Sequence, residues 1–171
     1  MLKIENNNIV TMAYEVREAD HYGELIERMD IKYPFKFMYG KSSLLPAFED
    51  YISGLTMKDN FAFLLRPHEA YGDWLKDQVV NVPISVFKND PERIDLSFHK
   101  GMYLALTDDQ GQTHNGKLLD WSDEHATIDF NHALAGKTLH FSGSILHVRK
   151  PTLDESMRGA YIPESGVHRP S

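Results

Sequence analysis

The sequence predicts a mostly β fold with one short helix. Apolar and aromatic residues alternate along several short stretches, which is typical of half-buried strands. Only one stretch, from Leu44 to Leu55, carries apolar residues at helical spacing. The chain also lacks the regular strand–helix alternation of a doubly wound sheet. We therefore expect an α+β protein dominated by antiparallel strands.

The first half of the chain supplies the helix and the earliest strands. Extended segments are predicted at 9–16, 25–26, 33–39 and 60–65. Between the last two, Gly40 predicts a turn and Ser42 or Ser43 a helix N-cap. Pro46 fits the first helical turn, where its missing N–H costs little. Gly54 is placed to end the helix.

The pattern changes after a predicted loop at 66–74. An apolar stretch at 82–87 is followed by short strands with hairpin signals, at 102–107, 114–121, 126–130 and 138–149. Asp108 to Gly111 has the composition of a turn between two of them. The polar tail from 154 to 171 contains several Gly and Pro residues, and we expect it to be mobile.

The composition excludes several functional classes. Lys and Arg number 18 and Asp and Glu 25, and the formal charge of −7 argues against a nucleic-acid partner. The chain has no cysteine, which excludes disulfides, zinc–thiolate sites and cysteine nucleophiles and favours the cytoplasm. No signal-peptide core is visible, and no apolar run approaches about 18 residues, so no membrane partner is expected.

Familiar catalytic motifs are absent from the sequence. It contains no nucleophile elbow, phosphate-binding loop or dinucleotide fingerprint. The nine histidines raise metal binding, but the pairs His125/His132 and His140/His147 match no common ligand pattern. We therefore expect no metal and no cofactor. Aromatic residues are the stronger signal, although a single ring on an alternating face is usually core.

Four segments, taken together, resemble the FKBP family of peptidyl-prolyl cis–trans isomerases. They are the early-strand motif AYEVRE followed by Asp20 (residues 13–20), the central-strand motif PFKFMYGK (34–41), the loop motif AYG (70–72) and the segment DFNHALAGKTLHF before the final strand (129–141). The last motif is similar to that of the bacterial SlyD group, in which a second domain is inserted into the flap. The resemblance covers about residues 5–152, in the family's order and spacing.

This resemblance implies a specific architecture. It is an FKBP-like antiparallel half-barrel sheet wrapped on one short helix, with a small β-rich domain inserted in the flap. Residues 1–73 and 129–153 would form the isomerase domain, 74–128 the insert and 154–171 the tail.

The resemblance also implies a prolyl pocket. Tyr71, Tyr14 and Glu27 would be its catalytic groups, with the Tyr71 hydroxyl as the leading hydrogen-bond donor. The substrate-binding wall and floor would comprise Ile26, Phe35, Leu44, Leu45, Phe48, His132, Leu134 and Phe141. Phe37 and Ile52 are expected to be ordinary core.

The chain departs from the family pattern at several positions. Glu27 stands where the family usually has Asp, and Phe48 stands where some members have Trp. Ala133 stands where the family's motif before the final strand has Pro. SlyD proteins of some bacteria carry a His/Cys-rich metal-binding tail. Because this sequence ends in SGVHRPS, that metal-binding role is not expected here.

A pocket of this kind needs no nucleophile, metal or general base. Rotation of an X–Pro bond has a barrier of about 20 kcal/mol because the planar amide is resonance-stabilised. An apolar pocket favours the twisted, less polar amide, and a donor can hold its carbonyl. The resemblance thus implies an isomerase and folding chaperone acting on X–Pro bonds of unfolded or partly folded proteins.

The insert is expected to bind clients through apolar side chains. Candidates are Val82, Ile84, Val86, Phe87, Met102 and Leu104, since so small a domain can hardly bury all of them. A strand edge there could pair with client segments.

Two alternatives stay open. Glu27 and Ala133 are compatible with a client-binding chaperone that has little isomerase activity, and the histidines with a metal carrier. The expected partners are unfolded or proline-containing polypeptides, and the chain is expected to be a monomer.

Overall fold

Two structural units make up the chain in the computed structural model, which describes residues 1–88 and 98–163. The main unit comprises Met1–Gly72 and Gly136–Ser171, and the insert unit comprises Asp73–Ala135. Each unit has its own antiparallel sheet.

The main sheet is built on one long central strand. Its strands are β1 (Ile9–Glu18), β2 (Leu25–Met29), β3 (Phe35–Met38), β4 (Asn60–Leu65) and β9 (Leu139–Arg149). One side of β1 pairs with β9 along its whole length, and the other side pairs with β3 and then β2. Strand β4 pairs with the far side of β9. Alternating burial along β1 and β9 gives the sheet one apolar face.

The helix α1 (Pro46–Ile52) buries Phe48 and Ile52. The hydroxyl of Tyr39, at the end of the β3 segment, donates to the Glu49 carbonyl at 2.8 Å and ties the two elements together. Pro46 lies in the first turn, as predicted. The predicted serine cap is wrong: the N-cap is Leu45, which makes no side-chain cap bond. The physical reason is that a residue before proline is held in extended conformation, so the helix cannot begin earlier.

The tail prediction is wrong for its first residues. Helix α3 (Leu153–Arg158) opens with a capping box between Thr152 and Glu155 and ends at Gly159 in left-handed conformation. The Glu155 carboxylate is buried and accepts hydrogen bonds from both terminal nitrogens of Arg149, at 2.8 and 2.9 Å. These bonds anchor the segment, while the predicted mobility of 164–171 lies outside the described residues.

The insert unit contains a four-stranded sheet and one helical turn. Its elements are β5 (Val79–Pro83), α2 (Ser85–Lys88), β6 (Tyr103–Thr107), β7 (Thr113–Trp121) and β8 (His125–Asp129). The strand order is β5-β8-β7-β6, all antiparallel. Its core is formed by Phe87, Leu104, Leu118, Ala126 and Ile128.

The insert unit extends beyond the segment that the sequence assigns to it. Its second boundary follows Ala135, whereas the predicted insert ends at residue 128. Hydrogen bonds explain the difference: Leu75 N–H donates to the Asn131 side chain, whose amide donates back to the Leu75 carbonyl, both at 2.9 Å. Trp74 Nε1 donates to Asp129 at 3.0 Å. Residues 131–135 of the NHALAG segment therefore belong to the insert unit, and Gly136 belongs to the main unit.

The predicted fold class is confirmed. An antiparallel sheet packs on one short helix as in an FKBP-like half-barrel, and a further β-rich unit lies within its chain. Within the described ranges, no helix is long and apolar enough to cross a membrane.

Candidate active site

Phe48 of α1 lies at the centre of an aromatic cluster in the main unit. Its ring meets the Phe141 ring of β9 edge-on at 5.0 Å and the Tyr14 ring of β1 at 6.2 Å. Tyr14 in turn meets Phe35 of β3 edge-on at 6.1 Å. Because Phe48 and Phe141 are buried and Phe35 is only half-buried, the cluster has a closed floor and a side that faces solvent. Four of the predicted pocket residues are thus brought together.

Two further rings of strand β4 complete this floor. Phe61 and Phe63 lie 5.6 and 5.0 Å from the Phe48 ring. Phe63 also stacks on Phe141 at 5.6 Å, and Tyr51 of α1 stacks on Phe63 at 4.4 Å. The alternation in the predicted strand at 60–65 places Phe61 and Phe63 on one face but does not assign them to the site. The sequence signal for them is this alternation, which gives β4 one apolar face but does not say which element that face contacts.

Gly143 of β9 makes room for one of these rings. A Cβ at this position would lie 2.8 Å from Cζ of Phe61 and 2.1 Å from the carbonyl oxygen of Ala13. No larger residue fits without a shift of backbone or ring. The glycine therefore allows β1, β9 and the Phe61 ring to approach closely beneath the floor.

A polar pair borders the cluster. The hydroxyl of Tyr14 donates to Oε1 of Glu27 at 3.1 Å. Burial raises the pKa of Tyr14 well above its usual range, and the negative charge of Glu27 raises it further. The phenol therefore remains protonated at neutral pH and keeps its hydrogen on the carboxylate.

Tyr71 belongs to the same electrostatic group. Partial burial raises the pKa of Tyr71, and the negative charge of Glu27 raises it further. Tyr71 in turn contributes to the raised pKa of Tyr14. Its side chain is 38% exposed, so it remains accessible to a bound molecule. It follows the short turn Pro67–Glu69, where the Gly72 N–H donates to the Pro67 carbonyl at 2.7 Å. The three predicted catalytic residues therefore interact with one another.

The remaining wall candidates of the main unit are half-buried. They are Ile26 on β2 and Leu44 and Leu45 immediately before α1. Partial exposure suits the wall of an open site, and their place in that wall stays a prediction. Phe37 and Ile52 are 3% and 0% exposed, which confirms that they are core.

His132 and Leu134 are the two wall candidates outside the main unit. Both belong to the insert unit, where the Leu134 N–H donates to Nδ1 of His132 at 3.0 Å. Their place in the prolyl pocket stays a prediction.

Known relatives identify the family. The chain is 30% identical over 165 residues to the FKBP-type peptidyl-prolyl cis-trans isomerase SlyD of Pasteurella multocida, covering 96% of this chain and 79% of that protein. This chain belongs to the SlyD group of the FKBP family. The SlyD proteins of Yersinia pestis and Escherichia coli K12 are 30% and 28% identical over 158 residues, or 92% of this chain and 77% and 76% of theirs. No protein-family model matches the chain.

The predicted client-binding residues of this FKBP-family chain divide into three groups by their exposure. Phe87 and Leu104 are buried in the core of the insert unit, so their assignment to its surface is wrong. The reason is that the small sheet needs their side chains to fill its own interior. Val82, Ile84 and Met102 pack half-buried against that core, and Val86 is exposed.

Other apolar side chains of the insert unit are exposed although sequence reasoning did not select them. They are Trp74, Leu75, Tyr103, Leu119 and Trp121. Alternation along β6 and β7 could have indicated Tyr103 and Leu119, because each neighbours a buried residue of the same strand. The insert therefore does have apolar surface, but mainly at other positions than predicted.

The described part of the chain holds no group of three or more His, Asp or Glu residues placed to bind a metal ion.

Proposed function

We propose that the aromatic cluster around Phe48 is the prolyl-binding site of a peptidyl-prolyl cis–trans isomerase. The observation that carries the proposal is the meeting of three protonatable groups, Tyr14, Glu27 and Tyr71, beside the rings of Phe35, Phe48 and Phe141. An apolar floor of aromatic rings suits the pyrrolidine ring of proline. The phenols supply polarity at its margin, where the carbonyl before proline would lie.

Catalysis in such a site works by differential stabilisation. Planar X–Pro amides carry more charge separation than the twisted transition state, and water stabilises that charge. Aromatic walls exclude water, so the planar amide loses more favourable solvation than the twisted amide does. The free-energy barrier between them therefore falls. No covalent intermediate is needed.

Tyr71 is the proposed donor to the substrate. It is the more exposed of the two phenols, and its raised pKa keeps the hydroxyl protonated. A protonated hydroxyl can donate to the carbonyl oxygen as the amide twists. Tyr14 already donates to Glu27, so its part is to hold that carboxylate and the edge of the floor in place.

The test is the isomerisation of a proline tetrapeptide, measured as its cis-to-trans rate. We expect the protein to accelerate it and Phe35→Ala to lose most of the acceleration, because the ring forms part of the slot. Tyr33→Ala is the matched control, since Tyr33 is an exposed aromatic just before the same strand. Equal rates for Phe35→Ala and the unaltered protein would place the reaction elsewhere.

A second activity, binding of unfolded clients by the insert unit, is proposed on one observation. Val86, Tyr103 and Trp121 expose apolar surface on a unit whose core is already filled by other residues. Exposed apolar surface on a small unit is typical of an interaction site.

The chaperone proposal is tested by suppression of aggregation of a chemically unfolded protein. The double variant Val86→Ser and Tyr103→Ser should suppress aggregation less than the unaltered chain. Tyr22→Ser, which removes an exposed ring from the main unit, is the control. Suppression without any turnover of the tetrapeptide would instead support the client-binding chaperone with little isomerase activity.

A further inference from the structure

Strand β4 forms an unprotected edge of the main sheet. It pairs with β9 on one side, and no described residue pairs with its other side. Its sequence, NFAFLL, contains no charged residue and no proline. Edge strands of soluble proteins usually carry such residues, because a free edge otherwise pairs with other extended chains. Because β4 carries neither kind of residue, its free edge can pair with an extended chain.

The pairing register shows which backbone groups are free. Next to β4, the Ile145 N–H donates to the Asp59 carbonyl at 2.9 Å. Hydrogen-bonded pairs recur at every second residue of an antiparallel ladder, so Phe61 and Phe63 point their backbone groups at β9. The N–H and C=O groups of Ala62 and Leu64 therefore point to the open side. Within the described residues, no hydrogen bond is made to them.

The open edge is continuous with the candidate active site. Tyr51, 52% exposed, stacks on Phe63 with its ring only 7° from parallel, and Phe63 stacks on Phe141 in the floor. A surface recess beside β4 is lined by Tyr51, Phe63, Ala62, Leu64 and His140, among others. A polypeptide paired with β4 would thus have the rings of Tyr51 and Phe63 on one face and the Leu64 side chain on the opposite face. It would lie next to the proposed prolyl slot.

We propose that the free edge of β4 binds an extended segment of the client polypeptide as an added strand. Backbone hydrogen bonds to Ala62 and Leu64 supply affinity that does not depend on client sequence, and alternate client side chains face Tyr51 and Leu64. This occupant fits because an isomerase for unfolded chains must hold polypeptide on either side of one proline. The inference rests on the proposed function only in naming the client as the occupant.

Hydrogen exchange of the full-length protein tests this directly. The probe is a reduced and carboxymethylated disulfide protein, which stays unfolded. At saturating probe, the amides of Ala62 and Leu64 should exchange about tenfold more slowly, because they become bonded. The amides of Phe61 and Phe63 are already bonded to β9 and should change less. Unchanged exchange at Ala62 and Leu64 would overturn the proposal.

Two variants give an independent measurement. Ala62→Pro removes the outward donor, and Leu64→Lys places a charge on the edge, so each should weaken probe binding about tenfold. Leu153→Lys is the matched control, because this leucine is exposed on α3. Circular dichroism checks folding, and Leu64→Lys keeps the test decisive if Ala62→Pro does not fold. Undiminished binding by a folded Leu64→Lys would contradict the proposal.

Self-pairing of the edge is a further outcome. If raising the protein concentration alone slows exchange at Ala62 and Leu64, the occupant is a second copy and the client proposal fails. Tetrapeptide turnover is measured in parallel. Its absence would overturn the isomerase assignment while leaving the exchange result to decide the role of β4.

Discussion

The hydroxyl of Tyr14 on β1 donates to the carboxylate of Glu27 on the neighbouring strand β2. The two residues are not direct partners in the ladder, since Tyr14 pairs with Met29 and Glu27 with Val16. The longer side chain of glutamate nonetheless reaches the hydroxyl at 3.1 Å. Glu27, which stands where the family usually has Asp, therefore accepts a hydrogen bond from Tyr14.

Tyr71→Phe should lower kcat/KM for a proline tetrapeptide about tenfold. That factor corresponds to about 1.4 kcal/mol, the size of one hydrogen bond that forms mainly in the transition state. The ring itself remains, so folding should not change. Tyr22→Phe, an exposed tyrosine of the same unit, should keep full activity. Full activity in Tyr71→Phe would remove this hydroxyl from the mechanism.

The pH dependence follows from the same group of residues. Burial and the charge of Glu27 hold the pKa of Tyr14 and of Tyr71 above their usual value of 10. Both phenols should therefore stay protonated at pH 10, where exposed tyrosines ionise, and kcat/KM should not fall before then. Stability from the raised pKa values is fully present below pH 10 and is lost as the pH rises further.

Absorbance titration of the tyrosines measures this, with Glu27→Gln as the informative variant. Removing the negative charge should lower the pKa of both phenols, although burial keeps them raised. Glu24→Gln is the control, because Glu24 is an exposed neighbour on the same segment. If the same fraction of the tyrosines titrates late in Glu27→Gln as in the unaltered protein, burial alone sets these pKa values.

Gly143→Ala should destabilise the main unit. The added methyl would lie 2.8 Å from Cζ of Phe61 and even closer to the backbone of β1. Overpacking of this kind typically costs about 1–3 kcal/mol in the free energy of unfolding. Urea unfolding measures the loss, and Ser142→Ala, the adjacent half-buried position, is the control. A loss no larger than that of Ser142→Ala would show that the backbone adjusts freely at Gly143.

Local pattern was sufficient for most of the fold. Alternation located β1, β4 and β9, and helical spacing located α1, because burial of one face dictates those periods. Capping was harder: Ser42 or Ser43 was predicted, but the extended conformation that Pro46 imposes on the preceding residue makes Leu45 the N-cap. The anchoring of α3 could not be found by composition, since it depends on Arg149 meeting Glu155.

The site was less predictable than the fold. The family resemblance indicated Tyr14, Phe35, Phe48 and Phe141, and those rings do meet. Phe63 was missed because alternation cannot tell which element its face will contact. In the insert unit, apolar identity could not separate core from surface, so Phe87 was selected and Tyr103 was not. That distinction depends on tertiary packing, which a single sequence does not contain.

Glu155→Gln should destabilise the protein and release α3 from the main unit. The carboxylate is 1% exposed and accepts from Arg149, from the Thr152 N–H at 2.8 Å and from the Ile162 N–H at 3.2 Å. Hydrogen bonds to a charged group contribute about 1.5–3 kcal/mol, and an amide replaces them only in part. The free energy of unfolding, from urea titration, should fall by about 2 kcal/mol. Asp154→Asn, the exposed neighbour, should change it much less.

The same carboxylate predicts an acid-sensitive element of stability. Hydrogen bonds from Arg149 lower the pKa of Glu155 from 4.5 to about 2. Because the folded-state pKa is depressed, the stabilisation is present above pH 4.5 and is lost as the pH falls toward 2. Unfolding curves of Glu155→Gln and the unaltered protein should therefore converge over this interval. A difference in stability that stays constant down to pH 2 would show that ionisation of Glu155 is not what holds α3.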